Sequence, residues 1–186
     1  MVFDGVDHFL VITNSQSLVN GLHKHNEFGE LFGLFAPDTA QNTNNAYIFS
    51  NSSGGGTVGY STVYRYSGNS FIRSLILRGV PGTNSMATND FTANDGAQKL
   101  YNVTVGNNFS EKTNNVNGVT NLSYNDPRSS SDATYDFKIG TSGASIHSPL
   151  DNYKGTIQEL IIFDRNLTTK ERALLHTDIN NHFNIY

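Results

Sequence analysis

Short apolar runs with a two-residue period recur along the chain and predict β-strands. In residues 60–66, Tyr60, Thr62, Tyr64 and Tyr66 share one face, while Val63 and Arg65 share the other. Such alternation is the period of a strand, because successive side chains point to opposite faces. Further strands are predicted at 3–12, 27–35, 45–51, 70–79, 99–106, 135–140 and 155–164. About ten strands with polar loops between them predict a two-sheet antiparallel sandwich, an all-β fold.

Two turn pairs support antiparallel pairing. Asp4-Gly5 stands between apolar residues near the start, and Asn117-Gly118 lies between Val116 and Val119. Asn-Gly and Asp-Gly favour tight hairpin turns, since both positions of such turns take a positive φ. We therefore expect a hairpin centred on 117–118.

The last segment departs from the strand pattern. Ile157, Glu159, Ile161 and Phe163 alternate with Gln158, Leu160 and Ile162, so both faces of this run are largely apolar and it is predicted to lie in the middle of a sheet. A short C-terminal helix follows, because Thr168 and Glu171 match the capping box that begins helices. Its predicted apolar stripe is Ala173, Leu174, Leu175 and Ile179, and no earlier helix is expected.

Composition limits the kinds of partner that the protein is expected to bind. The chain has 186 residues, which we expect to form a single domain over 1–186, with no cysteine and a net charge of −4. A nucleic-acid partner is not expected, since such proteins usually carry a basic surplus. The longest apolar run, Leu160–Phe163, is far too short to insert into a membrane. Residues 1–20 also lack the pattern of a signal peptide.

Four segments, taken in order, carry a family resemblance. They are "FDGVDHFLVI" (3–12), "NNVNGV" (114–119), "DFKIGTSGAS" (136–145) and "YKGTIQELIIFDRNLTTKERALL" (153–175). The chain resembles the concanavalin A-like lectin/glucanase superfamily in its laminin G-like (LamG) branch. The resemblance implies a jelly-roll β-sandwich of two curved antiparallel sheets, closed at one end by the terminal helix.

Catalysis is not expected. The glucanases of this superfamily place two or three carboxylates on one strand as Glu-x-Asp-x-Glu, so that acid and nucleophile flank the same bond. Here Glu27 and Glu30 are three residues apart, and Glu159 has no carboxylate at 157 or 161. The sequence therefore predicts a protein that is not an enzyme.

A sugar-binding surface has a candidate in the tyrosines. Tyr60, Tyr64 and Tyr66 could stack on a glycan, with Arg65 and Arg73 supplying polar contacts; the chain has no tryptophan for this purpose. The alternative is that these tyrosines pack against the facing sheet with their hydroxyl groups satisfied at the rim.

Metal binding is left open. His23 and His25 alternate and could chelate a transition metal, or could belong to an exposed polar loop. Calcium is the one cofactor candidate, at 90–96, at 113–118, or where Asp4, Asp7 and Asp151 could converge. The alternative for all of these is turn-forming Asp and Asn, and no other cofactor is expected.

Two functional hypotheses follow. The first is a non-catalytic, lectin-like module that binds a glycan or cell-surface polysaccharide outside the cell or on a particle surface. The second is a structural virion component, a decoration or fibre protein, in which the sandwich contacts other virion or surface-protein subunits.

Overall fold

A computed structural model of the chain describes most of its residues. The described residues are 1–24, 27–41, 45–53, 57–65, 71–78, 84–87, 96–105, 112–121, 129–144 and 151–185. They form twelve strands and two helices. The strands are β1 (Val2–Asp4), β2 (Leu10–Ile12), β3 (Gly29–Pro37), β4 (Ala46–Ser50), β5 (Val58–Arg65), β6 (Phe71–Arg78), β7 (Asn84–Ala87), β8 (Lys99–Val105), β9 (Lys112–Val116), β10 (Val119–Asn121), β11 (Phe137–Ile139) and β12 (Lys154–Phe163). The helices are α1 (Asn20–His23) and α2 (Thr169–Phe183).

The strands form two antiparallel sheets of six strands each. The first sheet runs β1-β12-β3-β8-β9-β10 and the second runs β2-β11-β4-β5-β6-β7. The inner faces of both sheets contribute to one core, whose large aromatic members include Phe3, Phe35, Phe49, Tyr60 and Tyr101. The predicted all-β sandwich of two antiparallel sheets with a C-terminal helix is therefore confirmed.

The hairpin between β9 and β10 matches its sequence signal. Asn117 and Gly118 have φ values of 50° and 79°, and they join β9 to β10. Two successive positive φ values are the geometry that an Asn-Gly hairpin turn requires. Gly5 also has a positive φ of 77°, but Asp4 does not, and β1 and β2 belong to different sheets, so Asp4-Gly5 makes a tight turn and no hairpin, and 3–12 is not one strand.

Strand β12 differs from its prediction in one respect. It lies between β1 and β3 as expected, but only Lys154–Thr156 pair with β1. The register with β3 shifts between Ile157 and Glu159, which is a β-bulge. Because a bulge adds one residue to one strand, it reverses the alternation of side chains beyond it. Ile157 therefore shares the inner core with Leu160 and Ile162, and the predicted face of 157, 159, 161 and 163 is wrong.

Helix α2 covers the outer face of the first sheet. Thr168 is its N-cap, and the capping box with Glu171 is present as predicted. Beneath the helix lies a second apolar cluster that includes Phe32, Leu34, Leu100, Leu167 and Ile179. This cluster holds the helix against β3, β8 and β12.

The apolar stripe predicted for α2 is partly wrong. Ala173 and Leu174 are exposed, whereas Leu175, Ile179 and Phe183 face the sheet. The reason is the i, i+4, i+8 spacing, which places these three on one side of the helix and turns Leu174 away from it.

The short helix α1 was not predicted. It is a single turn, and Val19 and Leu22 bury their side chains in the main core beside it. A single turn that contains Asn20 and Gly21 has neither the length nor the propensity to give a helix signal in sequence. No helix among the described residues is long and apolar enough to cross a membrane.

Candidate functional site

The tyrosine platform predicted for glycan binding is not a surface. Tyr60 and Tyr64 are each 0% exposed, on the inner face of β5. A side chain inside the core offers no ring face to a ligand, so the prediction is wrong for these two residues. The packing stated in the alternative holds for Tyr60, but its hydroxyl group is satisfied inside the core and not at the rim, since it lies 2.8 Å from Thr62 Oγ1 and 3.0 Å from Tyr101 Oη.

The buried hydroxyls form a network between the two sheets. Tyr101 Oη, from the first sheet, donates to Asn114 Oδ1 at 3.2 Å and also contacts Ser74 Oγ of the second sheet. Burial raises the pKa of Tyr60 and of Tyr101, because desolvation disfavours the phenolate. Both rings therefore act as neutral hydrogen-bonding partners that fix how the sheets face each other.

Arg65 and Arg73, which were predicted to contact a glycan, belong to β5 and β6. Tyr66 is outside the described residues, as are the side chains of Arg65 and Arg73. The backbone register pairs Arg73 with Val63, and Arg65 with Phe71. The two arginines thus stand on neighbouring strands.

The loop after β1 brings three potential metal ligands together. Ligand atoms of Asp4, Asp7 and His8 all lie within 4.8 Å of one another. Asp7 and His8 are exposed, and Asp4 is half-buried. Asp4 Oδ1 accepts the backbone N–H groups of Val6, Asp7 and His8, which lowers the pKa of Asp4 to about 2. That oxygen is already used in shaping the turn.

The predicted convergence with Asp151 is not observed. Asp151 does not join the group of Asp4, Asp7 and His8 in the described part of the chain. It is half-buried, and desolvation raises the pKa of its carboxyl. Two carboxylates with one imidazole also suit a transition metal better than calcium, which prefers oxygen ligands.

The other predicted metal-binding segments either have a structural role or lie outside the described residues. Residues 113–118 form β9 and its hairpin turn, where Asn115 Oδ1 accepts the N–H of Gly118 at 3.0 Å. The asparagine side chains there serve the turn and the core. Residues 90–95 lie outside the described part, as does His25, and His23 is fully buried in α1. The alternative of an exposed polar loop is therefore wrong for His23.

The two glutamates considered for catalysis serve structure. Glu27 Oε1 lies 3.2 Å from Lys24 Nζ. Glu30 is 0% exposed and forms a two-pronged ion pair with Arg172 of α2, at 2.5 and 2.9 Å. Its oxygens also accept hydrogen bonds from Asn102 Nδ2 and from the backbone N–H of Leu167. This carboxylate holds the helix to the sheet.

A groove between β12 and α2 is a feature that the sequence did not reveal. It encloses about 510 Å³ and is lined by Gln158, Glu159, Ile161, Leu175, Asp178, Ile179, His182 and Phe183. The i, i+4, i+8 spacing of Leu175, Ile179 and Phe183 is a signal that could have located it. The bulge at Gln158 could not be read from sequence, yet it decides that Glu159 and Ile161 face the helix.

Sequence-based comparison gives no relatives. No protein-family model matches the chain, and no curated protein matches it.

Solved structures do resemble it. The carbohydrate-binding module CBM40 of the Ruminococcus gnavus IT-sialidase superposes with a TM-score of 0.67 and 10% identity, over 95% of both chains. The same module bound to α2,3-sialyllactose gives a TM-score of 0.69 and 11% identity over the same shares. This chain has the jelly-roll fold.

Two further jelly-roll structures are similar at the same level. A heptameric SAP-like pentraxin from Limulus polyphemus gives a TM-score of 0.63 and 12% identity, over 94% of this chain and 80% of that one. The botulinum neurotoxin serotype D binding domain also gives 0.63 and 12%, over 91% of this chain and 39% of that one. At such identities the likeness establishes the jelly roll and leaves the ligand to be argued separately.

Proposed function

We propose that this chain is a single, non-catalytic carbohydrate-binding domain of the concanavalin A-like superfamily, in its LamG branch. The observation that carries the proposal is the end-to-end match with a carbohydrate-binding module that was solved with a sialylated trisaccharide. The four sequence segments that resemble LamG domains support the branch. Such a domain would act outside the cell or on a particle surface, where glycans are exposed.

The proposed contacts are Arg65, Arg73 and Tyr66. Arginine guanidinium groups match carboxylates in a two-pronged geometry, so a pair on neighbouring strands suits an acidic sugar. By the two-residue period Tyr66 falls on the opposite face from Arg65, so it would add a stacking face only at the end of the strand, where a ring can reach the rim. Tyr60 and Tyr64 have no part in this surface because they are buried.

A glycan array with and without a calcium chelator tests the function. We expect retention of acidic glycans, with α2,3-sialyllactose as the defined probe and lactose as its uncharged counterpart. The Arg65→Ala/Arg73→Ala variant should bind about tenfold or more weakly, because each guanidinium contact to a carboxylate contributes on the order of 1 kcal/mol or more. Arg165→Ala is the control, since Arg165 is exposed and pairs with Glu171.

Loss of all glycan retention in the unmodified chain would contradict the proposal. If the double variant binds glycan as well as the unmodified chain, the function stands but Arg65 and Arg73 are not its site. A decrease in glycan retention when the chelator is present would show that calcium takes part in binding. Mass spectrometry of the bound glycan after long incubation should show no cleavage, and a hydrolysed product would contradict the non-catalytic assignment.

A second candidate function is assembly, as a decoration or fibre component of a virion or another surface structure. The observation that favours it is the exposed apolar edge formed by β1 and β2. Met1 and Val2 are 62% and 70% exposed, and Leu10, Val11 and Ile12 are each about 41% exposed. Exposed apolar residues on edge strands are a template for pairing with another chain.

Light scattering on a size-exclusion column separates the two candidates. Assembly predicts oligomers that the Val11→Lys variant converts to monomers, because a charge on an edge strand opposes pairing. A glycan-binding monomer that Val11→Lys leaves unchanged would argue against assembly. In that variant, glycan binding should also be unaltered.

A further inference from the structure

The groove between β12 and α2 combines an apolar floor with charged rims. Ile161 lines it from the strand, and Leu175, Ile179 and Phe183 line it from the helix. Ile179 is buried, but the other three side chains are only partly covered. The floor is therefore apolar surface that remains accessible within an otherwise packed cluster.

The charge on the rims is negative on both sides. Glu159 stands on the strand side and Asp178 on the helix side, and both line the groove. Among the described residues, neither carboxylate forms an ion pair or a hydrogen bond, whereas Glu30, Glu171 and Asp132 all have cationic partners. These two acids are thus available to an incoming ligand.

The end of α2 adds to this negative potential. His182 and Phe183 belong to the last turn of the helix, where unpaired carbonyl groups carry a partial negative charge. An anionic ligand, including a sialylated glycan, would be repelled here. A ligand with positive charge on an apolar body matches all three features.

We propose that this groove binds a basic peptide segment in which an apolar side chain is flanked by lysine or arginine. The apolar side chain enters the groove between Ile161 and Ile179. The flanking cations reach the carboxylates of Glu159 and Asp178, because long basic side chains can lie along apolar surface while their charged ends extend to the rim. The site is distinct from the proposed glycan contacts on β5 and β6.

The size of the groove supports a peptide as its occupant. Leu175 and Phe183 are eight residue steps apart along the helix, or about 12 Å. An extended peptide of about four residues has that length. A volume of about 510 Å³ lies within the usual range for ligand sites, and the groove is open to solvent.

Peptide fluorescence tests the proposal directly. The chain has no tryptophan, so the tryptophan of acetyl-Ala-Lys-Trp-Lys-Ala-amide can be excited selectively in a titration with the full chain. We expect a rise in anisotropy that saturates and that weakens as salt is added, because salt screens exposed ion pairs. The counterpart acetyl-Ala-Glu-Trp-Glu-Ala-amide should give no saturable signal.

Charge-removal variants locate the binding. Glu159→Gln/Asp178→Asn should bind the lysine peptide about tenfold more weakly, the loss of two exposed ion pairs. The control Asp7→Asn/Asp164→Asn removes the same charge outside the groove and should bind as the unmodified chain does. Thermal unfolding checks that both variants fold, which their exposed or half-buried positions favour.

Three results would overturn the proposal. They are no saturable binding of the lysine peptide, equal binding of the glutamate peptide, and equal loss of affinity in the groove variant and the control. Glycan retention on the array does not enter these outcomes, so the two proposals stand or fall separately.

Discussion

Glu30 shows how one buried side chain sets the position of a whole helix. It is fully buried on β3, and its two oxygens accept hydrogen bonds from Asn102 Nδ2, the Leu167 N–H and two nitrogens of Arg172. Each acceptor site on the carboxylate is therefore used. A buried charge is tolerated only when it is paired and hydrogen-bonded in this way.

Removing the cation alone should be costly. Arg172→Met leaves the carboxylate of Glu30 buried without its partner, so we expect the free energy of unfolding to fall by about 3–5 kcal/mol. Urea denaturation measures this change. The double variant Glu30→Gln/Arg172→Met should be less destabilised than Arg172→Met, and Arg165→Met, at an exposed pair, should lose far less than Arg172→Met. Equal losses in the variants at 172 and 165 would contradict the anchoring role.

His176 should make stability depend on pH. The ring lies edge-on to Phe32 at 5.3 Å, and burial lowers the pKa of the imidazole below its ordinary value of 6.5. As pH falls through 6.5, the unfolded chain takes up a proton first, so stability decreases until pH reaches the folded-state pKa. The melting temperature should therefore drop over this window, and drop less in His176→Phe. His8→Asn, at an exposed position, is the control and should leave the drop unchanged.

At the scale of elements, the sequence signals fall into two groups. Alternation located β5 and β8, short apolar runs located β4, β6 and β11, and the capping box located the start of α2, because these signals depend on neighbouring residues only. The bulge in β12 could not be predicted, and for Tyr60 and Tyr64 the sequence left the inward and outward directions open. Both depend on how the strand meets its partners in the fold, and a shift of one residue exchanges its two faces.

The N-cap of α2 offers an element-scale prediction. Thr168 Oγ1 accepts the N–H of Glu171, and Glu171 Oε2 accepts the N–H of Thr168 at 2.8 Å. Thr168→Ala removes one half of this pair and should lower the free energy of unfolding by about 1 kcal/mol. Chemical denaturation measures the loss. Thr169→Ala is the matched control at the next position, and a loss as large as that of Thr168→Ala would contradict the cap.

At the scale of the whole molecule, the protection of backbone amides against hydrogen exchange should decrease from the centre of each sheet to its edge. Strand β3 lies between β12 and β8, with the main core on one face and the cluster beneath α2 on the other. Strand β2 is at an edge, and all three of its residues are exposed. Interior strands with paired backbone on both sides open only in large unfolding events.

Hydrogen exchange measured by mass spectrometry should therefore find β3 and β8 slowest and β2 among the fastest. Dilute protein is required, because self-association at the β1–β2 edge would protect β2. Protection of β2 equal to that of β3 in a monomer would contradict this order. Protection that grows with concentration would support assembly.

The pairing of β1 with β12 has a consequence for biosynthesis. The amino group of Met1 donates to the carbonyl of Ile157, 156 residues later in sequence. On the ribosome, β1 has no partner until the residues of β12, about 150 positions later, have been synthesised. Contacts at such separation form slowly, and the waiting edges can meet a neighbouring nascent chain first. Chaperones should accordingly bind the nascent chain until β12 has left the exit tunnel.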